Sequence, residues 1–186
     1  MAQKWLVLVV RLPAEPARHR MAVWRELRRV GALPVAQGAW MVPDVPGVRP
    51  GLARVRERTA AANAPLLTLR ATGYDRGDAE RLGELYRKAR EEEWAEFLAD
   101  CAKYLAELEK EHMLGKYTLA ELEEEEQSLD RLRRWYRELR ARDLLGTPST
   151  SEADEQLKRC TEAFDVFADT VYAAATTPTS DEGTTP

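Results

Sequence analysis

Cysteine and histidine are scarce, two of each in 186 residues, and the longest apolar run, Trp5 to Val10, is only a strand's length. Each scarcity removes a class of function. A helix that crosses a bilayer needs about 20 consecutive apolar residues, so neither a membrane span nor a membrane partner is expected. Cys101, Cys160 and the two histidines are scattered over both halves of the chain, without a Cys-x-x-Cys pair or histidines at zinc spacing, so no zinc site is expected. There is no phosphate-cradling glycine loop and no Gly-x-Ser-x-Gly turn, which leaves nucleotide and serine-hydrolase chemistry without their motifs. The expectation is a protein with no catalytic residue, no metal and no cofactor, hence not an enzyme. The opening Met1-Ala-Gln-Lys4 lacks the basic start and apolar stretch of a secretory signal. A cytoplasmic setting follows, where a disulfide between the two cysteines is not expected.

What is present is globular in composition, 44% hydrophobic and 32% charged. The net charge of −4 hides an imbalance: residues 1–70 hold twelve Lys or Arg against four Asp or Glu, and the remainder sixteen against twenty-eight. The basic front suits an anionic partner, or the two halves attract each other.

Lys4 to Leu12 is apolar on both alternating faces, which marks a strand covered on both sides. Pro13 and Pro16 end it. A helix follows from about Pro16 to Val30, closed by Gly31, with Val23, Trp24, Leu27 and Val30 in one arc and Arg18, Arg25 and Arg29 opposite, Arg28 beside them. Residues 32–43 read as two short strands pivoting near Gln37 and Gly38. A second helix runs to about Asn63 with Leu52, Val55 and Thr59 inward and Arg54 and Arg58 outward, and Pro65 opens a fourth strand. The order is βαββαβ, the ferredoxin-like arrangement within an α+β class. Its two helices share one sheet face, so their outer arginines form one basic surface, and the other face of the first strand needs a cover from a second subunit or from the helices that follow.

From Asp78 three helices are expected. The first ends at Gly115, Thr118 and Glu121 form a capping box for the second, Gly146 and Pro148 break it, and the third runs to about Ala175. Short links imply an antiparallel bundle. The organisation expected is a basic module over 1–75, an acidic three-helix bundle over 76–175 and a disordered tail over 176–186.

Three constellations stand out. Arg18, Arg25, Arg28, Arg29, Arg54 and Arg58 suit phosphate oxygens, because a guanidinium offers paired donors and each neutralised phosphate releases counterions. Four such contacts give a salt slope of about −3.6. The plainer alternative is a solvated helix face, or one that docks on the acidic bundle. Arg90 and Glu93 interrupt the apolar stripe of the first long helix, and an antiparallel turn about Gly115 sets Glu93 level with Arg140, with Glu92 near Arg137 or Arg140, as a register-fixing ion pair. Glu92, Glu93 and Asp100 as a metal or acid/base site is the sharper alternative, without a Glu-x-x-His motif to support it. His112 is expected at a helix end as a capping or surface residue. Cys101 and Cys160 fall level inside the bundle, as buried small hydrophobes or as an oxidant-sensitive dithiol.

Several separated segments carry a family resemblance in the right order: Lys4-Trp-Leu-Val-Leu-Val-Val-Arg-Leu-Pro13, Arg18-His-Arg-Met-Ala-Val-Trp-Arg-Glu-Leu-Arg-Arg29, Gln37-Gly-Ala-Trp40, Arg90-Glu-Glu-Glu-Trp-Ala-Glu-Phe-Leu-Ala-Asp-Cys101 and Thr118-Leu-Ala-Glu through Leu129 to Trp135. Together they resemble the N-terminal domain of the ChrB chromate-resistance regulators, over nearly the whole chain to about Ala175. The resemblance implies a repressor-type, DNA-binding regulator of a chromate efflux operon. It also implies that chromate sensing lies in a further C-terminal domain of full-length members. A separately encoded sensor half is then a partner to expect, and a homodimer the expected assembly. A protein-interaction scaffold without DNA affinity is the alternative. The βαββαβ half is similar, more distantly, to the middle domain of PaaX-type repressors and to a small CRISPR-associated nuclease family of ferredoxin-like dimers. In that nuclease family an Asp follows the first strand; here the segment is Val10-Arg11-Leu12-Pro13, without the carboxylate.

Overall fold

The structure, a computed structural model, describes residues 3–12 and 17–176. The breaks expected at Pro13 and Pro16 and residues 177–186 of the expected tail lie outside the described residues, while Thr176 is the last residue of α5. The elements are β1 (Trp5–Val10), α1 (Ala17–Arg29), β2 (Leu33–Ala36), β3 (Ala39–Pro43), α2 (Arg49–Ala61), β4 (Leu66–Ala71), α3 (Arg76–Leu114), α4 (Leu119–Arg142) and α5 (Ser149–Thr176), with one 3-10 turn over Pro46–Val48. The strands form one antiparallel sheet in the order β2-β3-β1-β4. Its connectivity is the expected βαββαβ.

Helix ends explain how the chain turns. After α1, Gly31 takes φ +79°, its N–H bonds the Arg28 carbonyl at 3.0 Å and the Ala32 N–H bonds Leu27 at 3.0 Å, the pair of bonds that closes a helix through a left-handed residue. Asn63 does the same after α2 with φ 49°, sending the Ala64 N–H to Thr59. Gly115 repeats it after α3, with Lys116 bonding Glu111. One half of the capping box expected at the start of α4 is formed, the Glu121 N–H reaching the Thr118 hydroxyl at 3.2 Å, while the Glu121 carboxylate lies 3.7 Å from Lys116.

The chain divides into two compact units, Met1–Trp94 with Arg137–Thr150, and Ala95–Tyr136 with Ser151–Pro186. The division thus falls inside α3 and α4, not at residue 75. The reason is local: the first turns of α3 pack on the sheet, and the end of α4 is tied to them, since the Tyr86 hydroxyl donates to the Arg142 carbonyl at 2.9 Å and the Trp94 indole to Asp143 at 3.1 Å. The charge imbalance follows these units, twenty Lys or Arg against thirteen Asp or Glu in the first and eight against nineteen in the second.

In the first unit, Leu6, Leu8 and Val10 of β1 pack with Val23, Leu27 and Val30 from α1 and just beyond it and with Leu52 and Val55 of α2. Leu8 and Leu27 are fully buried, each adding about 1.5–3 kcal/mol of transfer free energy. The opposite face holds Trp5, Met41 and Tyr86, with Leu33 and Leu82 against them, and the Trp5 and Tyr86 rings lie 5.5 Å apart. The cover expected for that face is therefore supplied at one end by α3. At the other end Val9, Leu67 and Leu69 stay exposed, side by side because Val9 pairs with Leu67 and Val7 with Leu69.

In the second unit, Phe97 of α3 meets Trp135 and Tyr136 of α4 at 5.5 and 5.9 Å, while the Tyr104 hydroxyl reaches the Glu125 carbonyl at 3.3 Å. Later residues of α3 meet earlier ones of α4, so the two run antiparallel. α5 joins through Phe167 on Tyr117 at 6.0 Å and through Cys160, whose Sγ lies 3.7 Å from the Cys101 carbonyl.

Candidate nucleic-acid interface

All six arginines expected on the basic surface are exposed, and they sit on α1 and α2, which pack side by side on one face of the sheet. They are not equally available. Buried Glu26, on the inner side of α1, binds Arg54 Nε at 2.7 Å and Arg29 Nη1 at 3.2 Å. Arg28 donates to Glu93 of α3 at 2.8 Å. Arg18, Arg25 and Arg58 form no ion pair among the described residues. The structure thus joins Arg29 and Arg54 through one carboxylate, which draws the two helices' cations together and takes one charge from the pair.

A guanidinium has five N–H donors. A single carboxylate contact leaves Arg28, Arg29 and Arg54 with donors to spare, and their side chains remain 44%, 66% and 49% exposed. Holding the fork in place lowers the entropy lost when it grips a phosphate, while the neighbouring carboxylate weakens the field. The three unpaired arginines give the strongest attraction for a polyanion.

Two expectations about α1 need correction. Trp24, placed inward by the helical wheel, is 40% exposed, with the Arg28 guanidinium 5.2 Å from its ring centroid. Glu26 takes the buried position instead, at 4% exposure. A carboxylate tolerates that site because two guanidinium groups satisfy it, and the Trp24 ring is screened by a cation over its face.

The ion pair across α3 and α4 also differs in register. Glu93 binds Arg142 at 3.2 Å in place of Arg140, and Arg90 lies 3.2 Å away as a Coulombic contact without hydrogen-bond geometry. Arg137 and Arg140 are exposed, and among the described residues Glu92 pairs with Lys88, at 3.9 Å. Arg142 lies two residues, about half a helical turn, beyond the expected Arg140. Arg90 is buried over the Tyr86 ring at 5.3 Å. Burial, outweighing the lowering by Arg90, pushes the Tyr86 hydroxyl up to about 12.

Among the described residues no group of three or more His, Cys, Asp or Glu could hold a metal ion; Asp100 instead meets Lys103 at 2.7 Å. His112 meets the Tyr117 hydroxyl at 2.7 Å at the end of α3. Both cysteines are free and buried, and contact with Cys160 together with burial holds the Cys101 thiol far above its ordinary range. No helix of the described residues is long and apolar enough to cross a membrane.

Comparison with known proteins adds a match over residues 20–178 to the family described as "Protein ChrB, N-terminal". The chain belongs to that family. A curated relative, Protein ChrB of Cupriavidus metallidurans, is 29% identical over 112 residues, 59% of this chain. The chain spans about a third of that relative's length, 34%. No solved structure matches the chain. The ChrB N-terminal match begins inside α1 and ends past α5, so it takes in Arg25, Arg28, Arg29, Arg54 and Arg58 and residues of both compact units, while β1 and Arg18 precede it.

Sequence reasoning missed Glu26 and Arg142. Glu26 carried a signal, as the one carboxylate within an arginine-rich helix segment. Arg142 carried none, because its pairing depends on the length of the α3–α4 turn.

Proposed function

We propose that this ChrB-family chain is the DNA-contacting and assembling part of a repressor-type transcriptional regulator of a chromate-resistance operon, non-catalytic and cytoplasmic. Its first unit is a ferredoxin-like module, a reading supported by the strand order β2-β3-β1-β4 with both crossing helices on one face. One observation carries the proposal: six exposed arginines on two adjacent helices of a unit with a surplus of positive charge. Phosphate contacts of this kind give affinity and position, not base readout, so the α1–α2 surface grips the backbone of an operator. The exposed strip of Val9, Leu67 and Leu69 is the face for a second copy, and a separately encoded sensor domain is a further partner.

Electrophoretic shifts with the gene's own upstream region test the DNA reading. The wild type should retard the duplex, and the Arg25→Glu, Arg28→Glu, Arg29→Glu variant should not. A variant that binds like wild type, or a wild type that does not bind, leaves a protein-interaction scaffold, which the carboxylates on Arg28, Arg29 and Arg54 favour. Light scattering tests the assembly. A strict monomer at micromolar concentration removes the homodimer.

A further inference from the structure

Away from the arginines singled out above, a groove of about 550 Å3 lies between α2 and the β4 edge of the sheet. Two periodicities build it. Residues 49, 52, 53 and 56 of α2 are spaced i, i+3, i+4 and i+7 and share one helical stripe. Thr68 and Arg70 of β4 project to the same sheet face as Leu8 and Leu6 of β1, opposite which they pair. That is the face on which α2 packs. The stripe therefore contributes Arg49 and Arg56 to the groove, with Leu52 between them, and the strand contributes Arg70.

The groove's chemistry is one-sided. Its only carboxylate is Asp44, which lies 3.2 Å from Arg70 Nε as an ion pair without hydrogen-bond geometry. Arg49 and Arg56 form no ion pair among the described residues. Three guanidinium groups against one carboxylate leave a local surplus of positive charge. The Thr68 hydroxyl, also of the lining, is buried with no hydrogen-bond partner, which is a donor in want of an acceptor. No aromatic ring lines the groove, so it lacks the platform on which a base would stack. Forked donors, a spare hydroxyl and no stacking surface describe a receptor for oxygen atoms bearing negative charge.

We propose that this groove is an anion site for a phosphate-type oxyanion, distinct from the α1–α2 arginine surface. Arg49 and Arg56 stand about 10 Å apart along the helix, from two turns of 5.4 Å, so their side chains close on the groove from its two ends. Arg70 approaches from the strand side. The oxyanion belongs either to a nucleic-acid backbone or to a free tetrahedral ion, and these two sources separate by experiment.

The test uses the full chain with inorganic phosphate and, separately, a labelled DNA duplex, both at constant ionic strength with chloride as the balancing ion. The variants are Arg49→Gln with Arg56→Gln, at exposed positions, and Asp44→Asn, with circular dichroism confirming that each folds. Calorimetry or anisotropy should show the double variant binding at least about ten-fold more weakly, the ratio for one lost charge-assisted hydrogen bond. Asp44→Asn should bind more tightly. Loss for phosphate alone assigns a free oxyanion, and loss for the duplex, with or without phosphate, assigns the backbone. The proposal is overturned if neither probe binds the wild type more than chloride explains, or if the double variant binds both as the wild type does. The result is separable from the Arg25, Arg28 and Arg29 test, because none of those residues lines the groove.

Discussion

Replacing half-buried Asp143 should destabilise the first unit, and its hydrogen bonds set the size of the effect. Its carboxylate accepts five hydrogen bonds: from the Trp94 indole at 3.1 Å, the Gly146 and Thr147 N–H groups at 3.0 and 2.9 Å, and the Thr147 and Thr150 hydroxyls at 2.9 and 3.2 Å. Trp94, Thr147 and Thr150 are buried, so their donors do not simply turn to water. A donor left unpaired inside costs about 1–3 kcal/mol. The hydroxyls can rotate toward other acceptors and Gly146 is exposed, which leaves Asp143→Ala at about 3–5 kcal/mol, near the upper end for single substitutions. Asp143→Asn keeps one acceptor oxygen and loses the charge, about 1–2 kcal/mol on the same scale. Burial raises the Asp143 pKa, but the bonds from Thr147, Trp94 and Thr150 outweigh it and the net direction is down. A carboxyl whose folded pKa is depressed stabilises the protein above its unfolded pKa and ceases to as pH falls through the folded one. Urea unfolding followed by circular dichroism, from pH 7 into the acid range, measures both. An Asp143→Ala protein within 1 kcal/mol of wild type, on the scale of one ordinary hydrogen bond, or an acid dependence unchanged in Asp143→Asn, would refute the reasoning.

Other substitutions follow from single features. Gly31→Ala combines a left-handed backbone with a Cβ only 2.5 Å from the Arg142 carbonyl oxygen, and should cost about 2 kcal/mol or more in thermal or urea unfolding. Glu125 is buried, and desolvation, then repulsion from Glu107, Glu124, Glu111 and Glu121, raises its pKa. A raised carboxyl pKa means the folded state binds the extra proton, so stability falls as pH rises from the ordinary glutamate range through the folded value; Glu125→Gln should be more stable than wild type at pH 7 and no different at low pH, by urea titration at each pH. Cys101 and Cys160 are fully buried, so a chromogenic thiol reagent should react with neither in the native protein and with both in denaturant; fast native reaction would restore the redox-sensor alternative.

The parts of the fold legible in the sequence were those written in local chemistry. The two-faced apolar pattern of β1, Gly31 and Gly115 as left-handed stops, and the Thr118 cap each depend on residues a few positions apart. What escaped depended on distant partners. Trp24 fell within the apolar arc of α1, and only its pairing with Arg28 and the burial of Glu26 under Arg54 turned it outward. The Glu93–Arg142 pair depended on how many residues leave the helix between α3 and α4. The same limit governs the arginine surface. Its exposure could be read from spacing on α1 and α2, whereas the pairing of Arg28 could not, because Glu93 lies more than sixty residues away. Arg49, Arg56 and Arg70 converge only once α2 lies across β4.

The central claim is that unneutralised guanidinium groups on the outer sides of α1 and α2 hold DNA phosphates. Its most direct test is the salt dependence of the chain's affinity for a duplex carrying its own upstream region. If Arg18, Arg25 and Arg58 each take one phosphate, a plot of log affinity against log salt should lose about 2.7 from its slope, at roughly 0.9 per phosphate, when all three become Gln. A slope that the triple substitution leaves unchanged would contradict the account, as would a chain with no affinity for the duplex at low salt.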